Sequence, residues 1–393
     1  MYYFILKFAI KKMLEKIGTI LIFSVLFLNT NAQQILNKQR CGTDEYHKLI
    51  AKQTLNYHQQ RENTNIQIQE WIKSREKLDA FSNTITIPVV VHVVWKNNNQ
   101  NISDAQIFSQ IDVLNNDFRR KNMDTIMTPI VWKNIAADCE IEFCLATTDP
   151  NGNPTNGITR TQTSVNSFSM NDDVKHTDSG GRDAWSNDKY LNIWVCNLGS
   201  GLLGYATQPW GNNINDEDGV VIGYDCFGST GTAQSPYNKG RTATHEVGHW
   251  LNLDHLWGYG NCGNDNCADT PKQDDANYSC GPFPLTSQSC NNTGPNGTMF
   301  MNYMDYTSDG CMNMFTEDQK NRMIAAIINK RPGLLNQNLC VIPNYIEDYQ
   351  NNKNKKLIRT IDILGRKITK KNKHNTIFNI YNDGSVEKIL IIE

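Results

Sequence analysis

Apolar residues along the chain fall into short β-branched runs, and these runs predict the strands of one sheet. Residues 85–95 are almost continuously apolar, which is typical of a strand buried on both faces. Residues 140–146, 190–196 and 219–224 predict three further strands. Residues 201–206 contain two glycines and are typical of an edge strand with a kink. Together these runs predict a mixed sheet.

Amphipathic helices are predicted beside the sheet. Ser103 and Gln106 match a capping box at the start of a helix that would back the sheet. Its apolar positions recur at helical spacing on one face: Ile107, Ile111, Leu114 and Phe118. Thr316 and Gln319 form a second capping box before the last helix. Residues 241–252 predict a helix between these two, beneath the sheet.

The chain begins with a signal for export. Lysines precede an apolar run at residues 17–28, and short polar residues follow up to Ala32. This order predicts a secretory signal peptide over residues 1–32 that is cleaved after Ala32. A membrane anchor is the alternative interpretation, although the apolar run is short for a helix that spans a bilayer.

Changes of composition divide the rest of the chain into three parts. Residues 33–82 are polar and almost lack Pro and Gly, so we interpret them as a propeptide with helical segments. Residues 83–342 hold the predicted strands and helices of the main domain. Residues 343–393 combine a polar linker with short strands and a turn at residues 382–384, and they are too few for a sizeable core.

Charge and cysteine content indicate which classes of partner and which cellular compartment the protein has. With 38 Lys and Arg against 40 Asp and Glu, the net charge is −2, so nothing favours nucleic acid as a partner. The chain has 11 cysteines, and a group of them lies between residues 262 and 311. This density predicts an oxidising compartment and disulfides that staple the long loop over residues 258–300. A zinc site held by these cysteines is the alternative interpretation, although they include no C-x-x-C pair.

The strongest chemical signal is an H-E-x-x-H sequence that is followed by a third histidine. On a helix, His245 and His249 lie one turn apart on the same face, so both imidazoles can bind one metal ion. Glu246 is rotated from that face and is placed to act as a general base. His255 can join them only if the chain turns back, and Asn252 tolerates the positive φ that this turn needs. Three histidines and an open position are typical of catalytic zinc; three solvated histidines are the alternative.

With the downstream segments 302–306 and 309–316, this motif resembles the pappalysin (cytophagalysin) family of metzincin zinc metalloproteases. The resemblance covers about residues 39–335. It implies an α+β fold of the metzincin-like zincin type, with a mixed twisted sheet, a backing helix, an active-site helix and an irregular disulfide-bonded C-terminal subdomain. Metzincins usually carry Gly where this chain has Asn252, but Asn also tolerates the left-handed conformation.

The resemblance assigns roles to three downstream residues. Met304 would be the Met-turn methionine beneath the zinc, with an ordinary core methionine as the alternative. Tyr306 would lie near the zinc and hydrogen-bond the oxyanion. Asp309 matches the floor of the S1′ pocket in members that prefer a basic residue after the scissile bond. A solvated loop carboxylate is the alternative for Asp309.

Cys41, in the sequence Arg-Cys-Gly-Thr, resembles the cysteine switch of the family. A thiolate is a strong zinc ligand, so from the propeptide it would occupy the open zinc position and keep the zymogen inactive. A disulfide partner or a free thiol is the alternative. Activation would need a cut before the strand at residues 85–95, and Ser74–Arg75 is the candidate bond.

The resemblance also implies calcium and disulfides in the loop after the zinc helix. Suitable hard oxygen ligands for Ca2+ are supplied there by Asp265, Asp269 and Thr270. Loops of this composition are also common without metal. The family pattern suggests two pairs, Cys262 with Cys290 and Cys280 with Cys311, and it leaves Cys267 unassigned.

The C-terminal segment at residues 363–366 and 381–393 is similar to the sorting signals of the bacterial type IX secretion system. Such signals carry a protein across the outer membrane. We therefore expect the secretion machinery as a partner and a location that is secreted or on the outer cell surface. A small β-appendage is the alternative interpretation. We expect a monomer.

These features predict a secreted zinc-dependent metalloendopeptidase that is made as a zymogen and cleaves protein or peptide substrates before Arg or Lys. The three histidines would hold one Zn2+, and Glu246 would accept the proton of the attacking water. The edge strand around Leu203 and Gly204 would align the substrate by strand addition. A non-catalytic binding module with structural zinc is a competing hypothesis, but it has no need of Glu246. A zinc hydrolase of a non-peptide bond is excluded only by the resemblance.

Overall fold

The computed structural model describes most of the chain between Arg40 and Leu390. The described ranges are 40–75, 84–211, 216–336, 339–340, 357–362, 366–368, 376–382 and 386–390. The predicted signal peptide lies outside the described residues. The chain divides into two compact units, residues 1–340 and residues 341–393.

One sheet is the framework of the first unit. Its strands are β1 (Ile85–Trp95), β2 (Ile141–Leu145), β3 (Ile158–Gln162), β4 (Leu191–Cys196), β5 (Gly204–Ala206) and β6 (Val220–Gly223). They are ordered β2-β1-β4-β6-β5, and β3 pairs with β1 beyond the part that β2 occupies. Only β5 is antiparallel to its neighbour among these strands, so the predicted mixed sheet is confirmed.

Strand β1 lies inside the sheet and is buried on both faces, as its apolar run predicts. Most of its side chains are fully buried because strands flank it on both edges and packed layers cover both faces. Strand β5 forms one edge of the sheet, which leaves one row of its backbone groups available to another chain segment. That edge faces the site described below.

In the described residues, five α-helices accompany the sheet: α1 (Thr43–Gln53), α2 (Tyr57–Arg75), α3 (Asp104–Phe118), α4 (Arg241–Trp250) and α5 (Glu317–Lys330). Short 3-10 helices occupy Met123–Met127, Ile130–Trp132, Asp173–Lys175, Thr177–Ser179 and Pro332–Asn336. The first two α-helices fall in the predicted propeptide: α1 contacts β5, and α2 packs against α5. Residues 40–75, the described part of this predicted propeptide, are called the pro-segment below, and they lie on the main domain from their first residue.

The backing helix α3 has its predicted apolar face, but its start differs from the prediction. Ser103 caps it by accepting a hydrogen bond from the backbone N–H of Gln106. The Gln106 side chain does not return the bond; it donates to the carbonyl oxygens of Tyr224 and Phe227. The capping box is thus half formed because Gln106 secures a neighbouring loop. At α5 both halves of the box between Thr316 and Gln319 are present.

Disulfides secure the loops of the first unit. The pairs Cys262–Cys290 and Cys280–Cys311 are present, as the family pattern suggests. A third, Cys144–Cys340, joins β2 to the end of the unit and was not predicted. Cys267 is buried and lies outside these disulfides.

The second unit contains an antiparallel sheet of β7 (Leu357–Asp362), β8 (Thr376–Tyr381) and β9 (Val386–Leu390), in that order. Its short strands match the sequence prediction, while most of the predicted turn at residues 382–384 lies outside the described residues. No helix in the described ranges of either unit is long and apolar enough to cross a membrane.

Candidate active site

Three histidine nitrogens meet at one point above helix α4. The Nε2 atoms of His245 and His249 lie 3.1 Å apart, and the Nε2 atom of His255 lies 3.3 Å and 3.0 Å from them. All three side chains are buried. With the Cys41 sulfur they form the one group in the described ranges whose ligand atoms could hold a metal ion.

The other ring nitrogen of each histidine has a hydrogen-bond acceptor. His245 Nδ1 lies 2.6 Å from the Tyr303 carbonyl oxygen, and His249 Nδ1 lies 2.8 Å from that of Leu253. His255 Nδ1 lies 3.0 Å from the carboxylate of Asp44. Since Nδ1 then carries the proton, the three Nε2 lone pairs point at each other, an arrangement that a bound cation stabilises. The donor set therefore fits a zinc ion.

Burial favours the neutral, metal-binding form of two of these rings. It lowers the pKa of His245 and of His249 well below the usual value, and the neighbouring histidines add to this effect. At His255 burial also acts to lower the pKa, but the Asp44 carboxylate outweighs it and the pKa is raised. The pro-segment thus supplies the charged partner of one histidine.

His255 reaches its partners through the turn expected at Asn252. Helix α4 ends at Trp250, and Asn252 adopts a φ of 73°, the left-handed conformation. The N–H of Leu253 then donates to the Gly248 carbonyl oxygen at 3.0 Å, which closes the helix end. Asn252 therefore makes the left-handed turn that the sequence predicts.

Met304 lies beneath this turn. Its side chain is fully buried, and a Cβ placed on Gly248 would approach the Met304 sulfur to 2.6 Å. The segment before it holds Met304 in place through the Asn302 side chain, which accepts a hydrogen bond from the Met304 N–H at 2.9 Å. The methionine and the glycine thus fit each other at the base of the histidine group.

Glu246 lies beside the histidines in a closed environment. Its side chain is fully buried, and burial raises its pKa to about 7. The Thr43 hydroxyl donates to Oε2 at 2.9 Å, and the Cys41 thiol lies 3.4 Å from the same oxygen. The pro-segment therefore contacts the predicted general base as well as the histidines. Sequence reasoning missed Thr43 and Asp44, although both directly follow the Cys-Gly signal.

Cys41 lies within ligand distance of the histidine group. The four potential ligand atoms, one from each side chain, are all within 4.8 Å of one another. Burial raises the pKa of the Cys41 thiol well above its usual value, and the Glu246 carboxylate adds to this rise. Cys41 is not in a disulfide. Its position removes the disulfide alternative and places the sulfur beside the three histidine nitrogens.

Tyr306 closes one side of the site. Its ring lies 4.9 Å from that of His255, and its hydroxyl donates to the Cys41 carbonyl oxygen at 3.4 Å. Trp257 stacks on His255 with the ring planes 6° apart. Trp257 was not predicted, and its signal was its position two residues after the last histidine.

Asp309 is a buried carboxylate, which rules out the solvated alternative. One oxygen accepts hydrogen bonds from the backbone N–H groups of Lys239 and Arg241. The other oxygen accepts from the guanidinium of Arg40 at 3.2 Å, and both side chains are at most 1% exposed. The pro-segment thus places a basic side chain on Asp309 one residue before the cysteine that meets the histidines.

The pro-segment also lies along the edge strand. The Gly42 N–H donates to the Gly204 carbonyl oxygen at 2.9 Å, and the Thr43 hydroxyl accepts from the Ala206 N–H at 3.0 Å. The Leu203 carbonyl instead accepts from Gly223 on the inner side of β5. Gly204 therefore presents its carbonyl to a bound segment, and Leu203 supports the strand from within the core.

The predicted calcium ligands hydrogen-bond within the protein. Asp265 accepts from the Thr270 hydroxyl at 2.6 Å, and burial raises the pKa of Asp265 to about 7. Asp269 accepts from the Thr316 hydroxyl at 2.7 Å and from the Asp318 N–H. The two carboxylates thus have separate sets of partners.

The arrangement of histidines, buried carboxylate and edge strand defines a metallopeptidase of the metzincin type. A family model described as "Pregnancy-associated plasma protein-A", the M43 peptidases, matches residues 173–328. An "Extracellular metalloprotease" of Arthroderma benhamiae is 32% identical over 248 residues, which cover 61% of this chain and 76% of that protein. The chain belongs to this pappalysin family of metallopeptidases.

Solved structures agree with this assignment. Mature mirolysin of Tannerella forsythia in complex with a cleaved peptide is 56% identical, with a TM-score of 0.62, and the match covers 65% of this chain and 96% of that one. A promirolysin mutant of the same organism is 51% identical, with a TM-score of 0.66, and the match covers 75% and 96%. The predicted α+β metzincin fold is confirmed.

Proposed function

We propose that the protein is a secreted zinc endopeptidase, made as a zymogen, that cleaves peptide bonds before Arg or Lys. One observation carries the specificity: the buried pair between Arg40 and Asp309, next to Cys41 at the histidines. A pro-segment that blocks a cleft gains affinity by using the contacts that a substrate side chain would make. Secretion is supported by relatives named extracellular metalloproteases.

The chain's own residues divide the work of peptide hydrolysis. A zinc ion held by His245, His249 and His255 would polarise the scissile carbonyl and activate water for attack. Glu246 accepts the proton of that water and delivers it to the leaving amine. Tyr306 donates a hydrogen bond to the carbonyl oxygen as negative charge develops there.

Substrate alignment falls to the edge strand and the acidic pocket. The Gly204 carbonyl and the Ala206 N–H, which now bond the pro-segment, would bond a substrate backbone by strand addition. Asp309 would pair with the Arg or Lys that follows the scissile bond. Its backbone partners hold the carboxylate in place when Arg40 leaves.

Peptides that differ only in the residue after the scissile bond test this proposal. We expect kcat/KM for Arg to exceed that for Met by about tenfold to hundredfold, because a buried charged hydrogen bond contributes roughly 1.5–3 kcal/mol. In Asp309→Asn this ratio should fall strongly, while Asp178→Asn, an exposed control with the same charge change, should keep it. An unchanged ratio in Asp309→Asn would remove Asp309 from the specificity pocket.

Glu246→Ala tests the catalytic role separately. We expect this variant to retain bound zinc, measured by elemental analysis, and to lose peptide cleavage. Retained cleavage would contradict the mechanism, and loss of zinc would mean that the substitution disturbs the histidine group. The competing hypothesis of a non-catalytic zinc module predicts no cleavage by the wild-type protein.

Latency is proposed to depend on Cys41 as a zinc ligand, with activation by a cut at Ser74–Arg75 at the end of α2. Support comes from the position of the sulfur among the histidines and from the promirolysin neighbour. Cys41→Ala should raise the activity of the unprocessed chain, and unchanged activity would count against the switch. Thr43→Val in parallel removes the hydroxyl that bonds Glu246 and keeps the thiol, so it shows how much latency depends on Glu246 rather than on the metal.

Two finer proposals concern calcium and export. Asp265, Asp269 and Thr270 are proposed as calcium ligands, because the Asp265 carboxylate is buried beside the Thr270 hydroxyl and a nearby cation would stabilise its charge. Calcium should then raise the melting temperature, and EGTA should lower it. Residues 1–32 are proposed as a signal peptide and residues 343–393 as a sorting signal; deletion of residues 343–393 should keep active protein inside the cell.

A further inference from the structure

A second side chain of the pro-segment fills a polar pocket away from the histidines. Tyr46, on the first turn of α1, is 1% exposed and packs against Tyr205 with ring centroids 4.9 Å apart. Its hydroxyl donates to the Asp172 carboxylate at 2.9 Å and accepts from the Lys175 ammonium at 3.3 Å. The Tyr46 hydroxyl therefore both donates and accepts a hydrogen bond in this pocket.

The walls of this pocket are held together without Tyr46. The Lys175 ammonium lies 2.7 Å from the Asp172 carboxylate and also donates to the Thr207 hydroxyl and to the Glu217 carbonyl oxygen. The Tyr205 hydroxyl lies 3.4 Å from Asp172. Because these partners all belong to the main domain, the charged pair and the aromatic wall are built to remain when the pro-segment leaves.

The pocket adjoins the edge strand along which the pro-segment lies. Tyr205 lies on β5 between Gly204 and Ala206, the two residues whose backbone groups bond the pro-segment. Along the pro-segment, Arg40 meets Asp309, the next residue lies among the histidines, and Tyr46 follows five residues later in this pocket. Since the proposed function puts the residue after the scissile bond at Asp309, the part of the pro-segment beyond the histidines would correspond to substrate residues before that bond.

We propose that Asp172, Lys175 and Tyr205 form a substrate subsite beside the edge strand and that it selects tyrosine. A tyrosine hydroxyl can donate to Asp172 and accept from Lys175 as Tyr46 does, whereas phenylalanine would cover the same charged groups without bonding them. Contacts like those of the Tyr46 ring with Tyr205 and with the Lys175 ammonium favour either ring over an aliphatic side chain. The inference rests on the proposed function, because it treats the pro-segment as occupying the substrate cleft.

The test uses the mature, zinc-loaded enzyme and peptides with Arg after the scissile bond. Tyr, Phe or Ala is placed in turn at each position before that bond. At one position we expect kcat/KM for Tyr to exceed that for Phe by about tenfold, the contribution of a hydrogen bond to a charged group. Asp172 has a φ of 63°, which Asn tolerates, so Asp172→Asn weakens the acceptor without straining the backbone.

The preference for Tyr over Phe should shrink several-fold in Asp172→Asn and persist in the exposed control Asp178→Asn. If wild-type enzyme cleaves the Arg peptides but no position favours Tyr over Phe, the subsite is overturned and the proposed function stands. If no peptide is cleaved, the proposed function fails and the subsite with it. A full Tyr preference in Asp172→Asn would also overturn the assignment. The wild-type comparison does not depend on the stability of either variant.

Discussion

Arg61 on helix α2 is the residue whose removal should most clearly loosen the pro-segment. Its guanidinium donates to the Asn252 side chain and the Pro209 carbonyl oxygen at 2.8 Å each, and to the Gln208 side chain at 3.0 Å. It also lies 3.3 Å from the Asp254 carboxylate, with both side chains at most 7% exposed. The side chain thus ties the pro-segment to the turn that brings His255 to the histidine group.

The expected loss in Arg61→Ala follows from this burial. Breaking a buried ion pair by removing one partner costs about 3–5 kcal/mol, because the remaining charge stays buried. In the variant, Asp254 would still have Arg322 at 3.6 Å and a hydrogen bond from Gln208. Because these partners offset part of the lost interaction, the expected cost lies at the lower end of this range. A cost of about 3 kcal/mol corresponds to a roughly hundredfold larger population in which α2 is detached.

Amide hydrogen exchange of the full chain measures this population directly. In a Glu246→Ala background, which prevents self-cleavage, exchange in α2 should be up to about hundredfold faster in Arg61→Ala. Glu62→Ala is the matched control, since Glu62 is the adjacent charged and exposed residue of the same helix. Equal exchange of α2 in the two variants would refute the assigned role of Arg61.

Three further predictions concern the main domain. Asn252→Gly should retain zinc because glycine also adopts the φ of 73° seen there, whereas Asn252→Val should lose much of its zinc affinity; equal zinc contents in titrations would contradict this. Met304→Leu should cost less than about 1.5 kcal/mol in unfolding free energy, while Gly248→Ala should cost more, because its Cβ would meet the sulfur at 2.6 Å; urea unfolding compares them. The pKa of the Asp265 carboxyl is about 7 in the folded protein, above its value in the unfolded chain. Ionisation of this carboxyl therefore lowers the free energy of unfolding as pH rises from about 4 to 7. With calcium chelated, the stability of wild type relative to Asp265→Asn should fall by up to about 1.4 kcal/mol per pH unit in that window, and a flat difference would contradict the assignment.

Local patterns were enough to predict much of the frame and of the metal site. The apolar run of β1, the helical face of α3 and the spacing of His245 and His249 each depend on backbone periodicity, which the sequence displays directly. The turn at Asn252 was predictable because the requirement for positive φ falls on one residue. Strand β3 was missed because its polar residues carry no apolar run; it forms through pairing with β1.

Contacts between distant segments could not be predicted in this way. Arg40 and Asp309 are 269 residues apart, and their pairing depends on how the pro-segment crosses the cleft. The same holds for Arg61 with Asn252, and for Tyr46 with Asp172. At Gln106 the local capping pattern correctly predicted the hydrogen bond from its backbone N–H to Ser103. Its side chain instead donates to the carbonyl oxygens of Tyr224 and Phe227, which are distant in sequence.

The disulfide between Cys144 and Cys340 would transmit a pulling force on the C-terminal segment to strand β2 of the first unit. It joins β2 to the last residue of that unit across 196 positions of sequence, and a backbone bond from Thr147 to Leu339 lies beside it. Tension on residues 341–393 would therefore pass through a covalent bond into the sheet and bypass helix α5. Cleavage of the chain beyond Cys340 would likewise leave both ends of this crosslink in the first unit. A force on the C-terminal segment, or cleavage of that segment, would therefore leave the end of the first unit covalently bound to its sheet.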